Sequence, residues 1–144
     1  MYGLRLTHRA VTYEVTAINE ISVSGTPSLT VNAAVAGSAP TAVTDTASTW
    51  AVTTNDNSVN GMKVTVAIDL AMPSGVTLTA NLTAPAGASS AGALTLATTA
   101  VDSVTGIKLL NESSLGITYQ LSATAAAGVV ASASRTVTYT IVAG

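Results

Sequence analysis

The sequence contains no cysteine, no phenylalanine, one histidine and one tryptophan. Without cysteine there is no disulfide, no zinc–thiolate site and no thiol nucleophile. His8 is the sole imidazole, so any Ser-His-Asp or histidine–metal arrangement must run through the N-terminal arm. Charge is equally scarce: Asp, Glu, Lys and Arg make up 8% of the chain, against about 25% in an ordinary soluble domain. Five Lys and Arg residues and a net charge of −2 provide no basic stripe to neutralise a phosphate backbone, which excludes nucleic acid as a partner. The seven acids, Glu14, Glu20, Asp45, Asp56, Asp69, Asp102 and Glu112, are scattered and unpaired. The chain reads as a non-enzyme with no catalytic, metal or cofactor-binding set.

Long hydrophobic runs are missing too. Ala125 to Ala131 is the longest small-apolar stretch, far short of the roughly 20 residues a membrane span needs. Met1 to Arg9 holds basic residues but no apolar core of a secretory signal. The expectation is a mature or trimmed form of an exported protein, placed outside the cell or on its surface.

What is present is small and β-branched. Ala, Thr, Val and Ser supply more than half of the 144 residues, 48% of the chain is hydrophobic, and mean hydropathy is +0.51. Thr and Val favour extended backbone, and Ala and Gly let facing sheets approach closely. A disordered chain would be less hydrophobic and usually more highly charged. A hydroxyl- and amide-covered surface with few charges suits an extracellular protein that packs against its own copies.

Alternation of period two runs through nearly the whole chain. Met62 to Leu70 places apolar residues at even positions and Lys63, Thr65 and Asp69 at odd ones. Asn60-Gly61 before it is a hairpin-turn pair, and Pro73-Ser74-Gly75 leads into Val76, Leu78, Ala80 and Leu82. Further strands are predicted at Leu29 to Val35, near residues 48–54, at Leu94 and Leu96, at Ile117 to Ala123 and at Val137 to Ala143. Residues 99–114 fit a short strand, a helical turn or a loop. With the N-terminal strand the count is about eight, which predicts an all-β, immunoglobulin-like or jelly-roll-like antiparallel sandwich.

The N-terminal strand is unusual. Alternation extends for 14 residues, from Ala10 to Val23, with Val11, Tyr13, Val15, Ala17, Ile21 and Val23 on one parity. Natural strands average five or six residues. Asn19 interrupts the apolar face, which predicts a bulge between Ala17 and Glu20. The strand either crosses between sheets or lies partly outside its own domain. The division is therefore an arm with a long first strand at 1–23 and a sandwich domain at 24–144.

Three segments share one pattern: Val11-Thr12-Tyr13-Glu14-Val15-Thr16-Ala17, Ile117-Thr118-Tyr119-Gln120-Leu121-Ser122-Ala123 and Val137-Thr138-Tyr139-Thr140-Ile141-Val142-Ala143. In a Thr- and Val-rich chain this can be convergence on a core-filling tyrosine. It also fits strands built for equivalent slots, as strand exchange between subunits requires. On that reading Val11, Tyr13, Val15, Ile21 and Val23 form the donated face, and Val137, Tyr139 and Ile141 mark the accepting edge. Residues 11–25, the Met72-to-Leu78 turn and strand, and the closing residues 134–144 resemble secreted bacterial and archaeal β-sandwich proteins. They are similar in style to pilin-like subunits that assemble by donor-strand complementation. The resemblance implies export and a homopolymer of identical subunits, and carries no catalytic residues.

The alternative is a monomeric immunoglobulin-like adhesin that displays loops to a cell-surface glycan or protein, with Trp50 as the stacking aromatic. Asn55 to Gly61 has oxygen donors for Ca²⁺ but lacks the acid spacing of an EF-hand, and reads as a plain hairpin loop. Asn81-Leu82-Thr83 and Asn111-Glu112-Ser113 are glycosylation triplets.

Overall fold

The computed structural model describes residues 3–144; Met1 and Tyr2 of the arm lie outside the described residues. Nine strands form two antiparallel sheets: β1 (Asn19–Ser24), β2 (Val43–Thr54), β3 (Met62–Ile68), β4 (Val76–Leu82), β5 (Ser89–Ser90), β6 (Leu94–Thr95), β7 (Val101–Ile107), β8 (Leu110–Ala123) and β9 (Val137–Ala143). One sheet has the order β1-β2-β8-β4-β6 and the other β5-β7-β3-β9. The expected all-β sandwich is the observed architecture. A single 3₁₀ turn, Ala125–Ala127, is the only helical element among the described residues.

Alternation builds the core directly. Met62, Val64, Val66 and Ile68 of β3 are buried while Lys63, Thr65 and Ala67 are not. They meet Trp50 and Val52 of β2, Ala80 and Leu82 of β4, and Leu115, Ile117 and Tyr119 of β8. Branched aliphatic side chains make up most of this core, with one Trp and one Tyr, and the ladder hydrogen bonds fix its register. Trp50 is the largest wholly buried side chain (1% exposed), and its Nε1–H donates to the Thr83 carbonyl at 3.1 Å.

From β2 onward each connection passes from one sheet to the other. Asn55 to Gly61 therefore links β2 to β3 across the sandwich and is not a hairpin. Position 61 still requires glycine, both for its left-handed φ of +70° and because a Cβ there would lie 2.7 Å from the Ile107 carbonyl oxygen. The ambiguous residues 99–114 resolve into β7 and the start of β8, joined at a corner where Leu109 takes φ of +45°. Leu29 to Val35 forms no strand; it belongs to the loop 25–42, whose β-pairing is one bridge between Ala34 and Pro40.

The first strand departs most from expectation. It starts at Asn19, and residues 19–24 pair with residues 49–54 of β2 in unbroken register, with no bulge. Asn19 sits half-buried because its Oδ1 accepts a 2.6 Å hydrogen bond from Thr54 Oγ1. Residues 3–18 carry no secondary structure and are exposed throughout.

Candidate assembly site

The sandwich has two distinct ends. Thr54, Leu110, Met62 and Ala143 share one, and Val43, Ile68, Val76, Ala123 and Val137 share the other. The arm leaves the first end. Asn55 clips it there: Ile18 N–H donates to Asn55 Oδ1 at 2.7 Å, and Asn55 Nδ2 donates to the Thr16 carbonyl at 2.8 Å. A side-chain amide thus imitates one more step of the β1 ladder and aims the arm along the line of β1. Among the described residues before Thr16, no hydrogen bond ties the arm to the domain. Val11, Tyr13 and Val15 are 79%, 91% and 79% exposed, and Leu4 and Leu6 are exposed as well.

The five residues of the expected donor face therefore divide. Val11, Tyr13 and Val15 are free in solution, whereas Ile21 packs against the core and Val23 lies partly exposed on β1. The expected accepting residues are gathered: Val137, Tyr139 and Ile141 stand half-buried on one face of β9, against the core.

β9 is the last strand of its sheet, so one of its edges is open. Its polarity follows from the ladder. Asp69 N–H donates to the Thr136 carbonyl, and Gly144 N–H to the Gly61 carbonyl. By two-residue alternation, Thr138, Thr140 and Val142 turn their backbone groups toward β3. Val137, Tyr139, Ile141 and Ala143 turn theirs to the open side. β1 is likewise an edge: Asn55 N–H donates to the Ile18 carbonyl, leaving the backbone groups of Asn19, Ile21 and Val23 outward. β1 and β9 are neighbours across the two sheets, so both open edges flank one side of the sandwich.

A groove of about 750 Å³ lies at the end opposite the arm. Leu29, Val31, Met72 and Val130 line it from the loops after β1, before β4 and before β9, with Val76 of β4 and Leu121 of β8. Sequence reasoning missed it, because loops far apart in the chain build it. The one signal was the exposed Val129-Val130 pair inside the Ala125-to-Ala131 run. Arg135 braces its rim by donating from Nε and Nη2 to the Ala71 carbonyl.

Between β8 and β9 the hydroxyls of Tyr119 and Tyr139 share a hydrogen bond across the sheets. Burial raises the pKa of Tyr119, against the bond from Tyr139 and with help from Asp45. Burial and then that same bond raise Tyr139 further. The folded state holds these protons more tightly than the unfolded chain, so the pair's contribution is complete below pH 10 and is lost as the pH rises beyond it. Urea unfolding followed by Trp50 fluorescence should show stability falling from about pH 10 upward. Tyr139→Phe should make that alkaline decline shallower.

Chemistry of other kinds finds little here. Among the described residues no three His, Asp or Glu side chains gather closely enough to hold a metal ion. The Asp56 carboxylate is taken up by Ser58 N–H and Oγ–H within its own loop. Lys63 and Asp102 form a 3.2 Å ion pair on the surface, of a kind that contributes little. No helix among the described residues is long and apolar enough to cross a membrane. Fold and site together define an all-β sandwich with an unpaired N-terminal arm and an open strand edge. Comparison with protein-family models, curated proteins and solved structures finds no match to this chain.

Proposed function

We propose that this protein is an extracellular structural subunit that assembles with identical copies by β-strand exchange, residues 3–18 serving as the donated strand. The observation that carries this reading is the arm's Val11-to-Ala17 segment, which bears the motif of β8 and β9 yet has no strand partner. Tyr119 and Tyr139 of the matching segments are packed, while Tyr13 is 91% exposed.

Magnitudes favour strand addition over loose hydrophobic contact. Burying Val11, Tyr13 and Val15 yields about 5–9 kcal/mol gross, at about 1.5–3 kcal/mol each. Ordering seven residues costs roughly 7–14 kcal/mol at about 1–2 kcal/mol each. Apolar burial alone does not offset that cost, so the acceptor must also supply main-chain hydrogen bonds. The low charge of the surface supports the extracellular placement, as it favours packing among copies. The adhesin reading loses its support, since Trp50 is wholly buried and offers no stacking face to a glycan.

Truncation tests the proposal. A chain starting at Asn19 keeps every strand pairing and should fold, with the cooperative unfolding of the intact protein. It should sediment as a monomer where the intact chain forms polymers. Unchanged polymerisation after truncation sinks the proposal.

A further inference from the structure

We infer that the arm of one copy docks antiparallel along the open edge of β9 in the next, crossing the end groove as it enters, so that the polymer is polar and head-to-tail. The inference rests on the strand-exchange reading above and names its acceptor.

Strand directions carry the argument. β1 runs from the arm end toward the groove end, since Asn19 pairs with Thr54 and Ser24 with Thr49. Residues 16–18, held by Asn55, extend the β1 ladder, so the arm leaves the domain in line with β1 and runs the same way. β9 runs oppositely, from Val137 beside Ile68 to Ala143 beside Met62. Setting a second copy in the same orientation on the arm end brings its groove end onto the arm. The arm then lies antiparallel to that copy's β9 and parallel to its β1. Antiparallel pairing is the more stable per residue and needs no slanted bonds, which selects β9 over β1.

Two further features fit the same occupant. The open backbone groups of β9 belong to Val137, Tyr139, Ile141 and Ala143, whose spacing of two matches Val11, Tyr13, Val15 and Ala17. Charge also points one way: Arg5, Arg9 and Glu14 leave residues 1–18 at +1, while three cations against six acids leave residues 19–144 at −3. Docking on the arm's own β9 would need a reversal at residues 16–18. Asn55 holds that segment straight, no Gly or Pro occurs from Leu4 to Ser24, and the product would be parallel. The contact is heterologous, so it propagates from copy to copy.

Absence of native cysteine makes disulfide trapping clean. Full-length Thr12→Cys or Glu14→Cys is mixed before assembly with full-length Thr138→Cys or Thr140→Cys, all at exposed positions. Ser22→Cys on β1 and Val59→Cys at the arm end serve as competitors. The inference expects arm-to-β9 mixed disulfides several-fold above either competitor, with position 12 favouring 140 when position 14 favours 138. Polymers whose arm cysteines bond to Ser22→Cys, to Val59→Cys or to none overturn the acceptor while leaving strand exchange intact. An unmodified chain that stays monomeric overturns strand exchange and the inference with it.

Discussion

Val11→Asp, Tyr13→Asp and Val15→Asp, combined in one chain, should abolish self-assembly and leave the unfolding temperature of the domain where it was. The two outcomes separate because the side chains contribute to different states. In the isolated subunit all three stand in water, so exchanging them touches no packing and falls within the roughly ±0.5 kcal/mol of an ordinary surface change. In the assembled state each carboxylate would enter a strand interface among Val137, Tyr139 and Ile141, where an unpaired charge costs several kcal/mol. Three such penalties exceed what the main-chain bonds return. Sedimentation reports the first outcome. Trp50 fluorescence reports the second, since the described arm holds Tyr but no Trp. A variant that polymerises normally, or that unfolds many degrees early, contradicts the assignment of these residues.

Trp50→Ala should show the opposite separation. The indole fills the space between the sheets, beside Leu115 in register on β8, and reaches the Thr83 carbonyl after β4. Truncation leaves a cavity that small neighbours cannot close, and it leaves that carbonyl without its donor. A loss of about 3–5 kcal/mol follows, lowering the unfolding temperature on the order of 10–20 °C. With so few large side chains in the core, no second residue can take over this volume. Circular dichroism during heating measures the loss. A shift of only a few degrees would mean that ladder hydrogen bonds alone hold the sheets.

Much of this architecture was legible in the sequence, and particular residues show why the rest was not. β3, β4 and β9 stood out because Met62 to Ile68, Val76 to Leu82 and Val137 to Ala143 alternate between apolar and polar, and each has a strand partner in the fold. Alternation reports a capacity for pairing and says nothing about supply of a partner. Residues 10–18 alternate as well as any strand and pair with none, while Leu29 to Val35 alternate and form a groove wall. Gly61 takes the left-handed backbone expected of Asn60-Gly61 while Asn60 does not, and such a pair cannot tell a hairpin from a crossing between sheets. The corner at Leu109 escaped notice because a leucine rarely takes positive φ. The groove was invisible, as its walls are brought together only by the sandwich.

The donor face sharpened in the same way. Parity grouped Val11, Tyr13, Val15, Ile21 and Val23, but the Asn55 clip divides them at residues 16–18. The first three are available to a neighbour, and the last two belong to the home sheet. The shared tyrosine motif suggested Val137, Tyr139 and Ile141 as the accepting residues; their open backbone groups emerged only from the register with β3.

Amide hydrogen exchange of residues 9–15, compared between monomeric and assembled protein, tests the central claim most directly. Unpaired arm amides exchange at the rate of an unstructured peptide in the monomer. On strand exchange the amides of Arg9, Val11, Tyr13 and Val15 should become protected toward the level of the β3 amides, because they then bond to β9 of another copy. Protection of the arm in the assembled state alone is the predicted result. Polymers whose arm amides still exchange freely would contradict the account.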